Sequence, residues 1–287
     1  YYCEPNDNIV SDRYMYHYLK QMQSVLMDFK QGAGIPALSV TEITKLQIPL
    51  PPLPIQEEIV RILDSFTDLT AELTAELTAE LTARKKQYEY YRNELLTFGD
   101  EVEYVELGEV CKVFKGKQLN RDLLTEHDEY PAYNGGTTYS GFTNKYNVEA
   151  NTIIISQGGA SAGFVNFVTE KFWANAHCYY CEPNDNMVSN RYMYHFLKRK
   201  QSDLMDFKHG AGIPALRATE ITKLQIPLPP LSEQERIVSI LDKFDALVND
   251  ISIGLPAEIE ARQKQYEYYR EKLLTFKKLG SKGGSSN

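Results

Sequence analysis

The hydrophobic pattern is most regular between residues 67 and 83, where the tetrapeptide Thr-Ala-Glu-Leu occurs three times in succession. Ala, Glu and Leu favour helices, and neither Gly nor Pro interrupts the stretch. A leucine recurs every fourth residue, so on a helix the leucines share a stripe roughly 120° wide. The pattern predicts one long helix with one apolar stripe, which each added tetrapeptide would lengthen by about 6 Å. The leucines of this stripe are Leu69, Leu73, Leu77 and Leu81.

A second helical pattern begins near Ser232, where the sequence Ser-Glu-Gln-Glu is typical of a capping box. Gly254 and Pro256 predict a kink or an interruption within this second helix. Two such helices in one chain are expected to pack on each other. Apolar residues follow at alternating spacings of four and three, the seam of a coiled coil, namely Ile237, Leu241, Phe244, Val248, Ile251 and Leu255.

An internal repeat decides the predicted architecture. Residues 1–8 return at residues 179–186, and the offset of 178 then holds without a gap to Thr275 and Phe276. A complete repeat unit therefore covers residues 101–276, and the first copy lacks the counterpart of residues 101–178. A truncated chain, recombination between repeats, or completion by another chain would each explain this difference.

Residues 101–231 predict a mixed domain, with short β-rich runs at 110–114, 152–156 and 163–168 between Gly-rich turns. Residues 191–208 have helical spacing, with Tyr192, Phe196, Leu204 and Phe207 expected to face inward. The expected class is α+β, with mixed α/β domains joined by two long helices in an antiparallel coiled coil. The expected segments are a partial domain (1–53), a first spacer helix (54–100), a complete domain (101–231), a second spacer helix (232–276) and a flexible tail (277–287).

Composition limits the classes of function. The chain has 287 residues, a net charge of -8 and ordinary globular composition. Nucleic-acid binding through bulk charge is therefore disfavoured, and such a role needs a local face. The longest apolar runs are far too short to cross a membrane, so we expect no membrane partner and a cytoplasmic protein.

Chemistry-bearing motifs are sparse. Cys178 and Cys181 form a lone Cys-x-x-Cys, best interpreted as reduced cysteines on a strand, with a thiol enzyme as a distant alternative. The histidines show no metal-ligand spacing, and the chain has no phosphate-binding loop with the required lysine. We expect no metal site, no cofactor bound by this chain, and a binding protein instead of an enzyme.

Two motifs carry a resemblance to a known family. Gly-Ala-Gly-Ile-Pro-Ala-Leu at residues 210–216 is followed by Ile-Pro-Leu-Pro-Pro-Leu-Ser-Glu-Gln-Glu from residue 226 and then by a long helix. The same order occurs from residue 32, before the Thr-Ala-Glu-Leu repeats. Nearly the whole chain resembles the DNA-specificity subunit of type I restriction-modification systems.

The resemblance implies two target-recognition domains that each read half of a split DNA site, with the paired helices as a ruler between them. It implies a subunit without catalytic activity that positions methyltransferase subunits, which use S-adenosylmethionine, and restriction subunits, which use ATP. Expected partners are double-stranded DNA, both kinds of subunit and a second copy of the chain that completes the partial domain.

Candidate DNA-binding residues lie in the complete domain, which has thirteen Lys/Arg against fifteen Asp/Glu and so must segregate its charges. Basic residues are candidates for phosphate contacts, and short polar side chains on loops are candidates for base contacts. The basic residues form two clusters, of which the first is Lys112, Lys115, Lys117 and Arg121, and the second is Lys198, Arg199 and Lys200 with Lys208 and His209. For each residue a solvated face or a turn is the alternative role. The candidates are Lys112, Lys115, Lys117, Arg121, Asn134, Thr137, Thr138, Tyr139, Gln157, Ser161, Lys208 and His209.

A repeated Gln-Tyr-Glu-Tyr-Tyr-Arg segment on the two long helices places tyrosines around much of the helix circumference. These tyrosines are candidates to dock methyltransferase subunits, with packing inside the chain as the equal alternative. The competing function is an interaction scaffold that binds methyltransferase subunits without reading DNA. The candidates for docking are Tyr88, Tyr90, Tyr91, Tyr266, Tyr268 and Tyr269.

Overall fold

The computed structural model describes residues 2–29, 38–207, 215–249 and 254–276. The chain divides into two compact units. The first unit comprises Tyr1–Ala83 and Val248–Asn287, and the second comprises Arg84–Leu247. Each unit contains part of both long helical patterns.

The described part of the chain begins with four helices, and its strands lie between Tyr104 and Pro227. Apart from one 3-10 turn at Arg121–Leu123, the elements are α1 (Asp12–Gln21), α2 (Gln23–Asp28), α3 (Val40–Thr44), α4 (Leu53–Leu95), β1 (Tyr104–Glu106), α5 (Leu107–Val110), β2 (Cys111–Lys115), β3 (Tyr130–Tyr133), β4 (Phe142–Thr143), β5 (Thr152–Ser156), β6 (Val165–Val168), β7 (Trp173–Ala174), β8 (Cys178–Pro183), α6 (Asn190–Arg199), α7 (Gln201–Asp206), α8 (Ala218–Thr222), β9 (Gln225–Pro227), α9 (Leu231–Asn249) and α10 (Leu255–Leu274).

The short helices of the two copies have the same bounds after the offset of 178, so that α1, α2 and α3 match α6, α7 and α8. Helices α1 and α6 also begin in the same way, since the Ser11 hydroxyl accepts from the Tyr14 N–H and the Ser189 hydroxyl accepts from the Tyr192 N–H. The single helix expected over residues 191–208 is instead two helices, α6 and α7. Phe207 is exposed, which corrects its predicted inward position.

The second unit is built around an antiparallel four-stranded sheet with the order β2-β8-β5-β6. Strand β5 is central, and Ile153, Ile154 and Ile155 along it are buried. Ile155 pairs with Tyr179 of β8, and Ile153 pairs with Cys181 of the same strand. The described residues of this unit also form two smaller sheets, one of β1 and β9 and one of β4, β3 and β7.

The long helices pack against each other through aromatic and aliphatic residues within each unit. In the first unit, Phe66 of α4 stacks on Tyr269 of α10 with ring centroids 5.3 Å apart. Leu63 of α4 and Leu274 of α10 share one buried cluster. From Phe66 back to Leu63 along α4, the neighbouring residues on α10 go forward from Tyr269 to Leu274. The two helices therefore run antiparallel, as the sequence predicts. In the second unit, Phe244 of α9 stacks on Tyr91 of α4 at 5.3 Å.

The second helical pattern is broken, as Gly254 and Pro256 predict. Helix α9 ends at Asn249, and α10 begins at Leu255 with Gly254 as its N-cap and proline in its first turn. Residues 250–253 lie outside the described part of the chain. The break follows from proline chemistry, because the ring cannot donate a helical hydrogen bond and clashes with the preceding turn.

A buried glutamine ties the start of each long helix to its domain. Gln234 accepts from the Ser189 N–H at 2.8 Å and donates to the carbonyls of Met187 (3.0 Å) and Pro229 (2.9 Å). Gln56 has the equivalent three bonds in the first unit, with Ser11, Ile9 and Pro51. The glutamine of the predicted capping motif therefore serves as a clamp between loops and helix.

Candidate nucleic-acid interface

The second unit gathers several candidate DNA-binding residues at one edge of its four-stranded sheet. Because the strands are antiparallel, β2 and β5 end where β8 and β6 begin. We call this the loop edge, marked by Lys115, Ser156, Val165 and Cys178 at the ends of the four strands. Loops that extend from it can present side chains to a ligand without disturbing the sheet.

Hydrogen bonds join two candidate loops at the loop edge. The Ser156 hydroxyl donates to the Gly136 carbonyl at 2.9 Å, and the Gly135 N–H donates to the Cys178 sulfur at 3.1 Å. The Gln157 N–H donates to the His177 carbonyl at 2.8 Å. The loop that carries Asn134 to Tyr139 and the loop that carries Gln157 and Ser161 are therefore fixed to neighbouring strand ends.

Gly135 has a conformation that only glycine accepts easily there. Its φ is +81°, and a Cβ would lie 2.7 Å from the His177 carbonyl oxygen. The backbone of this loop consequently lies close to the start of β8. The exposed side chains that follow it are Thr137, Thr138 and Tyr139, with Asn134 just before it.

The basic candidates separate into different places. Lys115 and Lys117 are exposed at the loop edge, where Lys115 pairs in register with Tyr179. Lys112 lies towards the other end of β2, directly opposite Glu182. Arg121 lies on the 3-10 turn and lines a cavity of about 540 Å³ together with Tyr139. The cluster of lysines expected from sequence proximity is thus divided by the extended geometry of β2.

Gln157 and Ser161 are half-buried. Burial raises the pKa of the Tyr179 hydroxyl, and a hydrogen bond with the Gln157 side chain acts in the opposite direction. The Ser161 carbonyl accepts from the Phe164 N–H at 2.9 Å. Both residues therefore combine a role inside the loop with partial access to solvent.

The second basic cluster does not form a free cationic face. Lys198 donates to the Val165 carbonyl at 2.8 Å, Arg199 donates to Leu96, and Lys200 pairs with Asp203 at 2.9 Å. All three cationic groups are already engaged inside the unit. Lys208 and His209 lie outside the described residues.

The two cysteines of the Cys-x-x-Cys pair are free thiols on β8, as the sequence predicts. Burial raises the pKa of Cys178 to about 11. A hydrogen bond with Cys111, together with burial, raises the pKa of Cys181 well above its usual range. Neither thiol has the low pKa and the access of a reactive thiolate, so the thiol-enzyme interpretation loses its support.

The six candidate tyrosines differ in exposure. Tyr88 is only 4% exposed, and its hydroxyl lies 3.2 Å from the His195 Nδ1. Tyr91 and Tyr269 stack on phenylalanines of the opposing helices, and the Tyr266 hydroxyl bonds to Thr67. Tyr90 and Tyr268, which are repeat equivalents, remain 59% and 57% exposed. Helical spacing alone could not separate these roles.

His177 is a further exposed side chain at the loop edge that sequence reasoning did not select. It precedes β8, and its carbonyl holds Gln157. Its position between a small-residue turn and a β-rich run is the signal that could have indicated it. Among the described residues, no three His, Cys, Asp or Glu side chains converge as a metal site.

Comparison with known proteins decides the family. Residues 1–83 and 99–261 match the family described as "Type I restriction modification DNA specificity domain". The chain belongs to this family. A putative type I restriction enzyme specificity subunit of Haemophilus influenzae is 38% identical to this specificity domain protein, covering 93% of this chain and 73% of its own length. A type I restriction enzyme specificity subunit of Escherichia coli is 35% identical, and the match covers 96% of this chain and 73% of that subunit.

Solved structures share the fold of this specificity domain protein. The type I restriction-modification S subunit of M. genitalium superposes with a TM-score of 0.66 at 20% identity, covering 95% of this chain and 75% of that chain. The S subunit of Thermoanaerobacter tengcongensis has a TM-score of 0.51. None of the described helices is long and apolar enough to cross a membrane. Membership in the family favours DNA recognition over a scaffold that does not read DNA.

Proposed function

We propose that the second unit reads one part of a DNA site through the loop edge, as a specificity subunit of a type I restriction-modification system. The observation that carries the proposal is the joining of the two candidate loops at Ser156 and Cys178. Amide and hydroxyl groups on fixed loops can pair with base edges in the major groove. Lys115 and Lys117 flank these loops and can hold phosphates, which fixes the register of reading.

The chain contributes recognition, and partner subunits contribute chemistry. Its net charge of -8 is unfavourable for tight DNA binding by the chain alone. Methyltransferase and restriction subunits that bind alongside would supply further contacts, together with S-adenosylmethionine and ATP. We assign no catalytic step to this chain, and we place the assembly in the cytoplasm, where it would meet cellular DNA.

Replacement of Gln157 tests the proposal. The chain, assembled with methyltransferase subunits, is used to select duplexes from a randomised pool. Gln157→Ala should change the enriched sequence while overall DNA affinity stays similar, because base contacts specify and phosphate contacts position. The proposal fails if the wild-type assembly enriches no sequence, or if Gln157→Ala enriches the same sequence as wild type.

We further propose that Tyr90 and Tyr268 dock two equivalent methyltransferase subunits. They are repeat equivalents, both largely exposed, and each packs edge-on against a neighbouring tyrosine, Tyr91 or Tyr269. Such anchored aromatic rings give large contact area at small entropic cost. Tyr90→Ala and Tyr268→Ala should each remove about one methyltransferase subunit per chain, measured by light scattering. Unchanged stoichiometry and affinity in both variants would refute this docking role.

The first unit has an apolar cavity of about 470 Å³ whose lining residues include Cys3, Met15, Leu19, Ile43 and Ile48. The repeat equivalents of these five residues in the second unit are fully or nearly fully buried. There the surface is covered by β1, α5 and β2, and the Leu107 N–H donates to the Leu224 carbonyl at 2.8 Å. We propose that a segment with the pattern of residues 104–115 fills the cavity, and that a second copy of the chain can supply it.

A labelled synthetic peptide of residues 101–117 tests this docking. It should bind the full chain and slow the reaction of Cys3 with maleimide, because the equivalent Cys181 is only 2% exposed under β2. Ile43→Asp should abolish binding of the peptide. The equivalent residue of the second unit, Ile221, is left as it is in this variant. Self-association measured by light scattering distinguishes a second copy as the source. Absence of both peptide binding and self-association would overturn the proposal.

A further inference from the structure

The strand β6 begins at Val165 on the outer side of the four-stranded sheet. Strand β6 pairs with β5 on one side and lies at the edge of the sheet. The N–H and the carbonyl of Val165 that point away from β5 therefore need other partners. The Val165 N–H donates to the Gln201 side-chain oxygen at 3.0 Å. The Val165 carbonyl accepts from the Lys198 ammonium at 2.8 Å. Both outward groups of this residue are therefore held by side chains of α6 and α7.

Lys198 has two further contacts that fix it in this place. Its ammonium donates to the same Gln201 oxygen at 3.0 Å, which closes a ring of three bonds with Val165. It also lies 4.4 Å from the centroid of the Phe164 ring. A cation over an aromatic face in a partly desolvated place is held more firmly than one in water.

The segment that these contacts hold is the loop of residues 157–164. From the β5 side, the Gly163 N–H donates to the Ser156 carbonyl at 2.8 Å, and the Ser156 N–H donates to the Phe164 carbonyl at 2.9 Å. From the other side, Gly163 lies so close to α7 that a Cβ would be 2.6 Å from the backbone of Leu204. Lys198 and Gln201 provide the polar attachment on this second side, at Val165.

A charged amine in this place costs stability. Burial lowers the pKa of Lys198 to about 8, while Asp245 of α9 acts to raise it and Arg92 of α4 to lower it further. The buried ammonium is nevertheless held by hydrogen bonds to the Val165 carbonyl and the Gln201 side chain, at the end of the loop of residues 157–164. In the first unit the repeat equivalent, Lys20, is exposed.

We propose that Lys198 is a positioning residue for DNA recognition: it fixes the loop of residues 157–164 by holding Val165 and Phe164, and so sets the geometry of Gln157 and Ser161. This inference rests on the proposed reading role of the loop edge. Lys198 itself contacts no DNA, because its ammonium is occupied within the unit. Its loss should impair discrimination between sequences more than affinity for DNA in general.

The test compares Lys198→Met with Lys20→Met, the matched change in the other repeat copy, and with Lys198→Arg, which keeps a cationic donor. Amide hydrogen exchange of residues 161–165 is measured on the full chain. Lys198→Met should increase the exchange rate about threefold to tenfold, which is the effect expected from losing about one net hydrogen bond. Lys20→Met should leave the exchange rate unchanged. Unchanged exchange in Lys198→Met overturns the proposal.

The second readout is the ratio of affinities for the duplex that the wild-type assembly selects and for a shuffled duplex. Lys198→Met should reduce this ratio about threefold to tenfold with shuffled-duplex affinity unchanged, and Lys198→Arg should recover it. A raised exchange rate with an unaltered ratio would make Lys198 merely structural and overturn the proposal. A wild-type assembly that selects no sequence would refute the reading role itself, a result that the Lys198 variants do not affect.

Discussion

Phe66 stacks on Tyr269 with ring centroids 5.3 Å apart and an interplanar angle of 11°, and its repeat equivalent Phe244 stacks on Tyr91 at 5.3 Å and 24°. Each pair joins a phenylalanine from one repeat copy to a tyrosine from the other. The same two residue types therefore close the contact between the long helices within each unit.

Removal of either phenylalanine should destabilise mainly the unit that contains it. Phe66→Ala and Phe244→Ala should each cost about 1–3 kcal/mol, because the rings are half-buried and lose a stacked partner. Hydrogen exchange resolved along the chain measures the effect, with increased exchange in the first unit for Phe66→Ala and in the second for Phe244→Ala. Equal loss of protection in both units from either change would contradict this.

The glutamine clamp should be a strong determinant of stability. Gln234→Ala leaves three backbone groups, on Ser189, Met187 and Pro229, without their partner. We expect a loss of about 2–4 kcal/mol in the second unit, measured by denaturant unfolding, since unpaired buried groups cost more than a typical hydrogen bond contributes. Gln56→Ala is the matched change in the first unit. A loss below about 0.5 kcal/mol would show that water replaces the amide fully.

Acid should weaken the second unit through His195. Burial lowers the pKa of His195 below its usual 6.5, against the opposing hydrogen bond to Asp242. The unfolded chain then takes up the proton first as the pH falls, so the free energy of unfolding should decrease below about pH 6.5. Unfolding measured between pH 5 and 8 should show a smaller decrease in His195→Gln than in wild type. Parallel pH profiles would contradict the direction of this shift.

The two lysines of β2 should differ in their effect on DNA binding. Lys115 lies at the loop edge, whereas Lys112 faces Glu182 across the strands. Lys115→Ala should weaken binding to all sequences and reduce the slope of log affinity against log salt by about 1, and Lys112→Ala should change it less. Salt titrations of the assembled complex measure both slopes. Equal slopes for the two variants would exclude the loop edge as the phosphate-binding side.

Thiol chemistry should distinguish the two copies of the repeat. Cys3 is exposed, whereas Cys111, Cys178 and Cys181 are buried. At chain concentrations too low for self-association, a chromogenic thiol reagent should therefore react rapidly with one thiol per folded chain and with the others only after unfolding. Cys3→Ser should remove the rapid phase. A rapid phase that persists in Cys3→Ser would show that β8 opens in solution.

Much of the fold follows from local pattern. The helices, the break at Gly254 and the reduced cysteines on a strand were predictable, because capping residues, proline and apolar spacing act within a few neighbouring positions. The candidate site was predictable only in part. Sequence proximity grouped Lys112 with Lys115 and left out His177, because distances between strand ends depend on register and not on separation along the chain.

The two copies of the repeat show most clearly which features the sequence determines and which features depend on the tertiary structure. The sequence by itself determined the short helices, which have the same bounds in both copies because their hydrogen bonds are local. Cys181 lies in β8, yet its equivalent Cys3 lies in no strand, although the same residues surround them. Only the tertiary structure decided this difference, since a strand exists through hydrogen bonds to neighbouring strands, and β2 and β5 flank β8 alone.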